Sequence, residues 1–232
     1  MAANQSTAGE EPAYFGPGLF HFLRDLELNN DRGWFQVNKD RYEAQVKDPM
    51  LRFIAAFGEH LHAISPHIVA DPRPVGGSMF RIYRDTRFSQ DKRPYKTNVG
   101  AHFRHSVGKD AHAPGFYVHL EPGGCMAGGG LWHPDPAALQ QIRDRIAGHP
   151  DAWQAVLATG IVVEGESLKR APSGYDAQHP FVDDLKRKDF YAMTRLSEAQ
   201  ICHPRFLEQF AEICRATVPL MAFLTDAVGL PW

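Results

Sequence analysis

Residues 115–132, GFYVHLEPGGCMAGGGLW, decide the fold. Side chains of a strand alternate between two faces. Phe116, Val118 and Leu120 make one set, and Tyr117, His119 and Glu121 the other. The pattern predicts a strand over 115–121 with one face in a core. A second strand follows over 124–132 after a connection of hairpin size, so the pair is antiparallel. Gly124, Gly128, Gly129 and Gly130 crowd that second strand. Such a cluster marks either a close approach to the backbone or a sharp bend over a packed aromatic such as Trp132.

Period-two segments continue outward over 78–88 and 97–104, with a short strand at 161–164 and a last one at 190–195. Helical periodicity flanks them. Leu19, Phe22, Leu23 and Leu26 place a helix over 18–28, and a less regular stripe of Trp34, Val37, Tyr42 and Val46 gives another over 32–46. Asp48-Pro49 restarts the helix, which runs to Ile64. Further helices are expected over 135–148 (capped by Asp135), 150–158 and 205–228, with a turn at 181–186 and a Ser197/Gln200 capping box. Helices, then strands, then helices describe an α+β domain: a mostly antiparallel central sheet covered on one face by N-terminal and C-terminal helices. The small, polar start of the chain reads as a disordered lead-in over 1–15, and 16–232 as a single domain.

An apolar share of 44% with 22% charged residues suits a soluble protein, and no apolar run approaches the length of a membrane span. Nothing at the N-terminus resembles a secretory or transit signal. The three cysteines, Cys125, Cys202 and Cys214, form no CxxC pair, which fits a reducing cytoplasm. No phosphate loop, dinucleotide fingerprint, HExxH or GxSxG is present, so the sequence names no cofactor.

Charge is concentrated in one place. Between Arg81 and Lys96 six bases face only Asp85 and Asp91, a local balance of +4 in a chain of formal charge −2. A local excess of this kind makes a positive potential within an otherwise acidic surface, unless carboxylates elsewhere neutralise it. Alternation over 79–88 sends Phe80, Ile82, Thr86 and Phe88 inward and Met79, Arg81, Tyr83, Asp85 and Arg87 outward. Arg84 falls on the inward side, so it requires a carboxylate partner or a bulge that redirects it. Asp85, between Arg81 and Arg87, is placed to hold one of them. The following loop, with Lys92, Tyr95 and Lys96, has the look of a clamp.

The stretch RIYRDTRFSQDKRPY (81–95) resembles the signature RxxRDxRFxxDKxxY of a widespread bacterial conserved-domain family of unknown function, which also occurs within some longer fungal proteins. NNDRGWF, GKDAHAPGFYVHLEPG, GGGLWHPDP, GESLKRAPSGYD and DLKRKDF extend the resemblance over the whole chain. It makes Arg81, Arg84, Asp85, Arg87, Asp91, Lys92 and Tyr95 motif positions and implies membership without an activity.

The residues themselves favour recognition of a small anionic ligand, phosphate- or carboxylate-bearing, on a sheet face rich in Arg, Tyr and His. The expected contacts are Arg81, Tyr83, Arg87, Lys92, Tyr95, Lys96, Tyr117 and His119. If chemistry follows binding, His119 is the acid–base candidate, with Glu121 or Asp85 orienting it. Two other readings use the same charges: nucleic-acid binding through the basic motif, and a purely structural ion-pair network. A metal site is not expected, because His102, His119, His133 and Glu121 show no ligand spacing. Cys125 reads as an apolar filler. Oligomeric state has no signal in the sequence.

Overall fold

The computed structural model describes residues 13–87, 89–107 and 113–232. The expected lead-in over 1–12, Phe88 and part of the GKDAHAPG stretch lie outside the described residues. Phe15, placed in the lead-in by composition, is fully buried against Phe53 and Phe206, with ring centroids 5.2 and 6.0 Å away.

Helix α1 (Pro17–Leu28) buries Leu19, Phe22, Leu23 and Leu26, the stripe read from its spacing. The single helix expected over 32–46 is instead three pieces. Asp31 caps α2 (Arg32–Val37) by accepting from the Trp34 N–H, and Asn38 leaves helical geometry. The short α3 (Lys39–Tyr42) then runs into a π-turn (Glu43–Lys47) and on to α4 (Asp48–Ile64). A π-turn carries an extra residue within the helical ladder. That insertion rotates the buried face and explains the irregular stripe.

Strands β1 (Val99–Arg104), β2 (Gly115–Leu120), β3 (Met126–Leu131) and β4 (Phe190–Arg195) form an antiparallel sheet in the order β1-β2-β3-β4. Three helices, α5 (Pro136–Gly148), α6 (Pro150–Ala158) and α7 (Val182–Leu185), lie between β3 and β4 in the chain. Three more follow β4: α8 (Glu198–Ile201), α9 (Phe206–Ala216) and α10 (Val218–Ala227). The fold is α+β. Phe103, Phe116, Val118, Leu120 and Ala127 of the inner sheet face are fully buried. Phe103 meets Phe57 of α4 and Phe210 of α9 at 4.8 and 5.7 Å. Each such ring contributes about 1.5–3 kcal/mol by leaving water.

The helix expected over 205–228 breaks at Thr217. Pro219 lacks the N–H needed to continue the ladder, and the Thr217 hydroxyl donates back to the Cys214 carbonyl at 2.9 Å. Thr217 and Met221 press onto β3 at Gly129, where a Cβ would stand 3.0 and 3.1 Å from their side chains.

Two expected strands are not strands. Among the described residues, segment 161–164 makes only a bridge from Glu164 to Tyr191, and segment 78–87 only the bridges Met79–Ala101 and Tyr83–Tyr95. Its backbone bonds are divided between two partners: Phe80 donates to Gly100 and Ser78 accepts from His102, whereas Arg84 donates to Pro94 and Ile82 accepts from Lys96. Beyond them Asp85 takes the Arg87 N–H, so no continuous ladder forms. The phase slips as well: Met79 and Ile82 are buried, while Phe80 turns outward. Among the described residues no helix is long and apolar enough to cross a membrane.

Candidate functional site

The sheet's outer face is the floor of a cleft of about 1100 Å³. Register lays out that floor in rows across β1 to β4: Gly100, His119, Met126, Arg195; then His102, Tyr117, Gly128, Met193; then Arg104, Gly115, Gly130, Tyr191. The glycines let large neighbours lie flat. A Cβ on Gly100 would stand 2.7 Å from the Tyr117 hydroxyl, one on Gly128 2.8 Å from Met193 Sδ, and one on Gly115 would strike the His102 ring. Gly130 has φ of 150°, a conformation open to glycine, and a Cβ there would run into β4. The close approach to this backbone is therefore made by the protein's own side chains, while Trp132 stands at the cleft lip, 57% exposed.

Along β2 the polar set is one hydrogen-bonded chain. Tyr117 Oη lies 2.9 Å from His119 Nδ1, and His119 Nε2 lies 3.0 Å from Glu121 Oε2. The imidazole is only 12% exposed, whereas the carboxylate reaches solvent. Burial, and then the Glu121 charge, push the Tyr117 phenol up to about 12. Burial, helped by Arg104, brings His102 down to about 4, so its ring is neutral at physiological pH.

Lys96 enters the cleft beside Phe80, its ammonium 5.4 Å from the ring centroid. Burial and then the charge of Arg81 lower its pKa. Among the described residues no carboxylate forms an ion pair with Lys96, Arg81 or Arg195. Asp85 and Glu164 line the same cleft, and the Arg81 charge acts on Asp85, but neither carboxylate closes an ion pair on Lys96.

The rest of the basic segment is closed on itself. Arg87 grips Asp85 through Nε at 3.0 Å and Nη2 at 2.6 Å, and Arg93 grips Asp91 in the same way. Arg84 Nη1 also reaches Asp91, at 2.6 Å, which supplies the carboxylate its position demanded. These hydrogen bonds hold Asp85 and Asp91 far below the usual carboxylate range. Asp71 and Arg73 repeat the arrangement. An Asp-x-Arg spacing, present three times in the sequence, was the signal that these guanidiniums neutralise locally.

Of the expected contacts, the cleft brings together Lys96, Tyr117 and His119, and Asp85 lines it beside Arg84. Arg81, Arg87 and Lys92 are not among its lining; Lys92 donates to the Thr86 carbonyl at 2.9 Å. Tyr95 is buried and stacked on Phe35 at 4.1 Å, where it and Tyr83 border a separate hollow with Arg32 and Arg84. Tyr191, Met193 and Arg195 were missed, although alternation along FYAMTR puts them on one face. Among the described residues no three His, Cys, Asp or Glu side chains group to hold a metal ion.

The family model for the conserved hypothetical protein family DUF2461 matches residues 18–223, nearly the whole chain. The chain belongs to the DUF2461 family. Neither the curated proteins nor the solved structures compared with it contain a match. Family membership thus spans every strand and all of α5 to α9, and the cleft of this DUF2461 chain lies within the matched residues.

Proposed function

We propose that the outer-face cleft binds a small organic anion, a phosphate- or carboxylate-bearing molecule with an apolar body. The observation that carries this reading is Lys96. It is an ammonium drawn partly out of water beside an aromatic ring, repelled by Arg81 and paired with no carboxylate among the described residues. Leaving a cation in that state costs stability, and an anion in the cleft removes the cost. Arg195, in the row of His119 on the far strand, supplies a second cation, while Phe80, Met193 and Trp132 offer apolar surface. Nucleic-acid binding draws less support, because the guanidiniums of Arg84, Arg87 and Arg93 are already held by carboxylates.

Thermal denaturation with inorganic phosphate, citrate and simple phosphate monoesters tests the reading. A ligand at a hundred times its Kd stabilises by about 2.7 kcal/mol, which raises Tm by roughly 5–10 °C in a chain of this size. The expected outcome is such a shift in the wild type and its loss in Lys96→Met/Arg195→Met. Equal shifts in both proteins would end the case.

A further inference from the structure

We propose that Tyr117 is a catalytic general base, with His119 as its proton acceptor and Glu121 as the residue that positions the imidazole. The inference rests on the cleft being the ligand site and adds the reaction class: abstraction of a proton from the bound molecule.

Geometry fixes the roles. The Glu121 carboxylate only accepts hydrogen bonds, so the 3.0 Å contact makes His119 Nε2 the protonated nitrogen. Nδ1 is then the acceptor, and the Tyr117 hydroxyl donates to it across 2.9 Å. Both imidazole nitrogens are committed, and the ring is nearly enclosed. His119 lines the cleft as well, but with both nitrogens taken it offers a bound molecule neither a lone pair nor a proton. Tyr117 lines the cleft too, and among the described residues its hydroxyl has one hydrogen-bond partner, His119, so the phenol oxygen keeps acceptor capacity for a substrate proton.

The proton balance is complete. A proton leaves the substrate for Tyr117 Oη while the phenolic proton moves to His119 Nδ1. The electron pair of the broken bond stays on the substrate. The phenol ends neutral, and the imidazolium is held between it and the Glu121 carboxylate. A phenol that burial keeps protonated gains a route to act as a base without becoming a phenolate. Negative charge builds on a molecule that Lys96 already faces. The substrate class is accordingly an organic anion with a proton whose loss delocalises charge, as beside a carbonyl. Elimination and isomerisation both begin with this step.

A neutral probe separates the base from the anion site. Nitrobenzisoxazole needs only a base: loss of its ring proton breaks the N–O bond, forms a nitrile and releases a coloured cyanonitrophenolate. Full-length wild-type protein should turn it over with saturation, and Tyr117→Phe should lower kcat by about 10²-fold. Glu121→Gln should also lower kcat. Nitrogen–proton NMR correlations of histidine-labelled Glu121→Leu, which leaves Nε2–H no acceptor, should show His119 losing the fixed tautomer of the wild type, a signature that a Glu121 acting only through stability would not move. Equal turnover by wild type and Tyr117→Phe, or no wild-type turnover above matched buffer, overturns the relay even if phosphate still binds. Turnover lost in Tyr117→Phe without any phosphate shift in the wild type upholds the base and sinks the anion reading.

Discussion

The basic segment 81–96 and the outer face of the sheet divide between them what the sequence concentrates in one. The segment holds most of the charge, yet Arg84, Arg87 and Arg93 each bind an aspartate, and Asp85 and Asp91 lie two residues before Arg87 and Arg93. The cleft over the sheet face holds fewer charges, and Lys96, the segment's last base, and Arg195 of β4 meet there with no ion-pair partner among the described residues. Counting bases locates positive residues; only pairing shows which of them still have charge to offer a ligand.

The contrast can be broken in several places. Gly128→Val should have the largest effect. A Cβ there collides with the Ala192 carbonyl in β4, a backbone group that cannot swing away, so urea denaturation should show a loss of about 3 kcal/mol or more. Acid should come next. His102 is held neutral down to about pH 4, whereas an unfolded histidine takes up its proton near 6.5. The unfolded state binds more protons between those values, so stability is full above pH 6.5 and falls as the pH drops toward 4. The loss over that range is roughly 3 kcal/mol, and His102→Gln should flatten it.

Lys96→Met sharpens the comparison by its sign. Removing a partly desolvated ammonium that has no ion pair among the described residues should stabilise the free protein by about 0.5–2 kcal/mol while abolishing the phosphate shift. A loss of stability instead would mean that the ammonium has a structural partner. Arg87→Ala should matter least. Its pair with Asp85 is exposed and screened by solvent, so Tm should move by no more than a few degrees. Unfolding by that one change would restore the segment to an architectural role.

The helices and the central strands were legible because their signals are periodic. Leu19, Phe22, Leu23 and Leu26 mark α1, and the alternation from Phe116 to Leu120 marks β2. Segment 78–88 was misread because its backbone bonds are divided, Phe80 donating to Gly100 in β1, Arg84 to Pro94 and Arg87 to Asp85; composition does not show where an N–H points. The break at Thr217 was legible in Pro219 and was outweighed by the apolar run around it. The GGG run served both of the alternatives that it suggested, close approach and sheet shape. A Cβ on Gly129 would meet Thr217 and Met221 from the helix side, and one on Gly128 or Gly130 would run into β4. Assembly of the site needed β4, whose partner β3 lies far away in the chain, and no local pattern reveals that pairing.

Asp189, 1% exposed, has a reach beyond its own position. One oxygen accepts the His133 N–H at 2.7 Å and the other the Glu166 N–H at 3.2 Å, so a single carboxylate fastens the exit of β3 and the 164–166 segment to the entrance of β4. Trp132 and Glu164, at the cleft's far side, stand directly beside those two anchors. None of these attachments exists until the ribosome has emitted residue 189, long after the first three strands have been made. The nascent protein would carry its sheet with the far wall unbuilt, and the pocket would come into being only as the last quarter of the chain arrives.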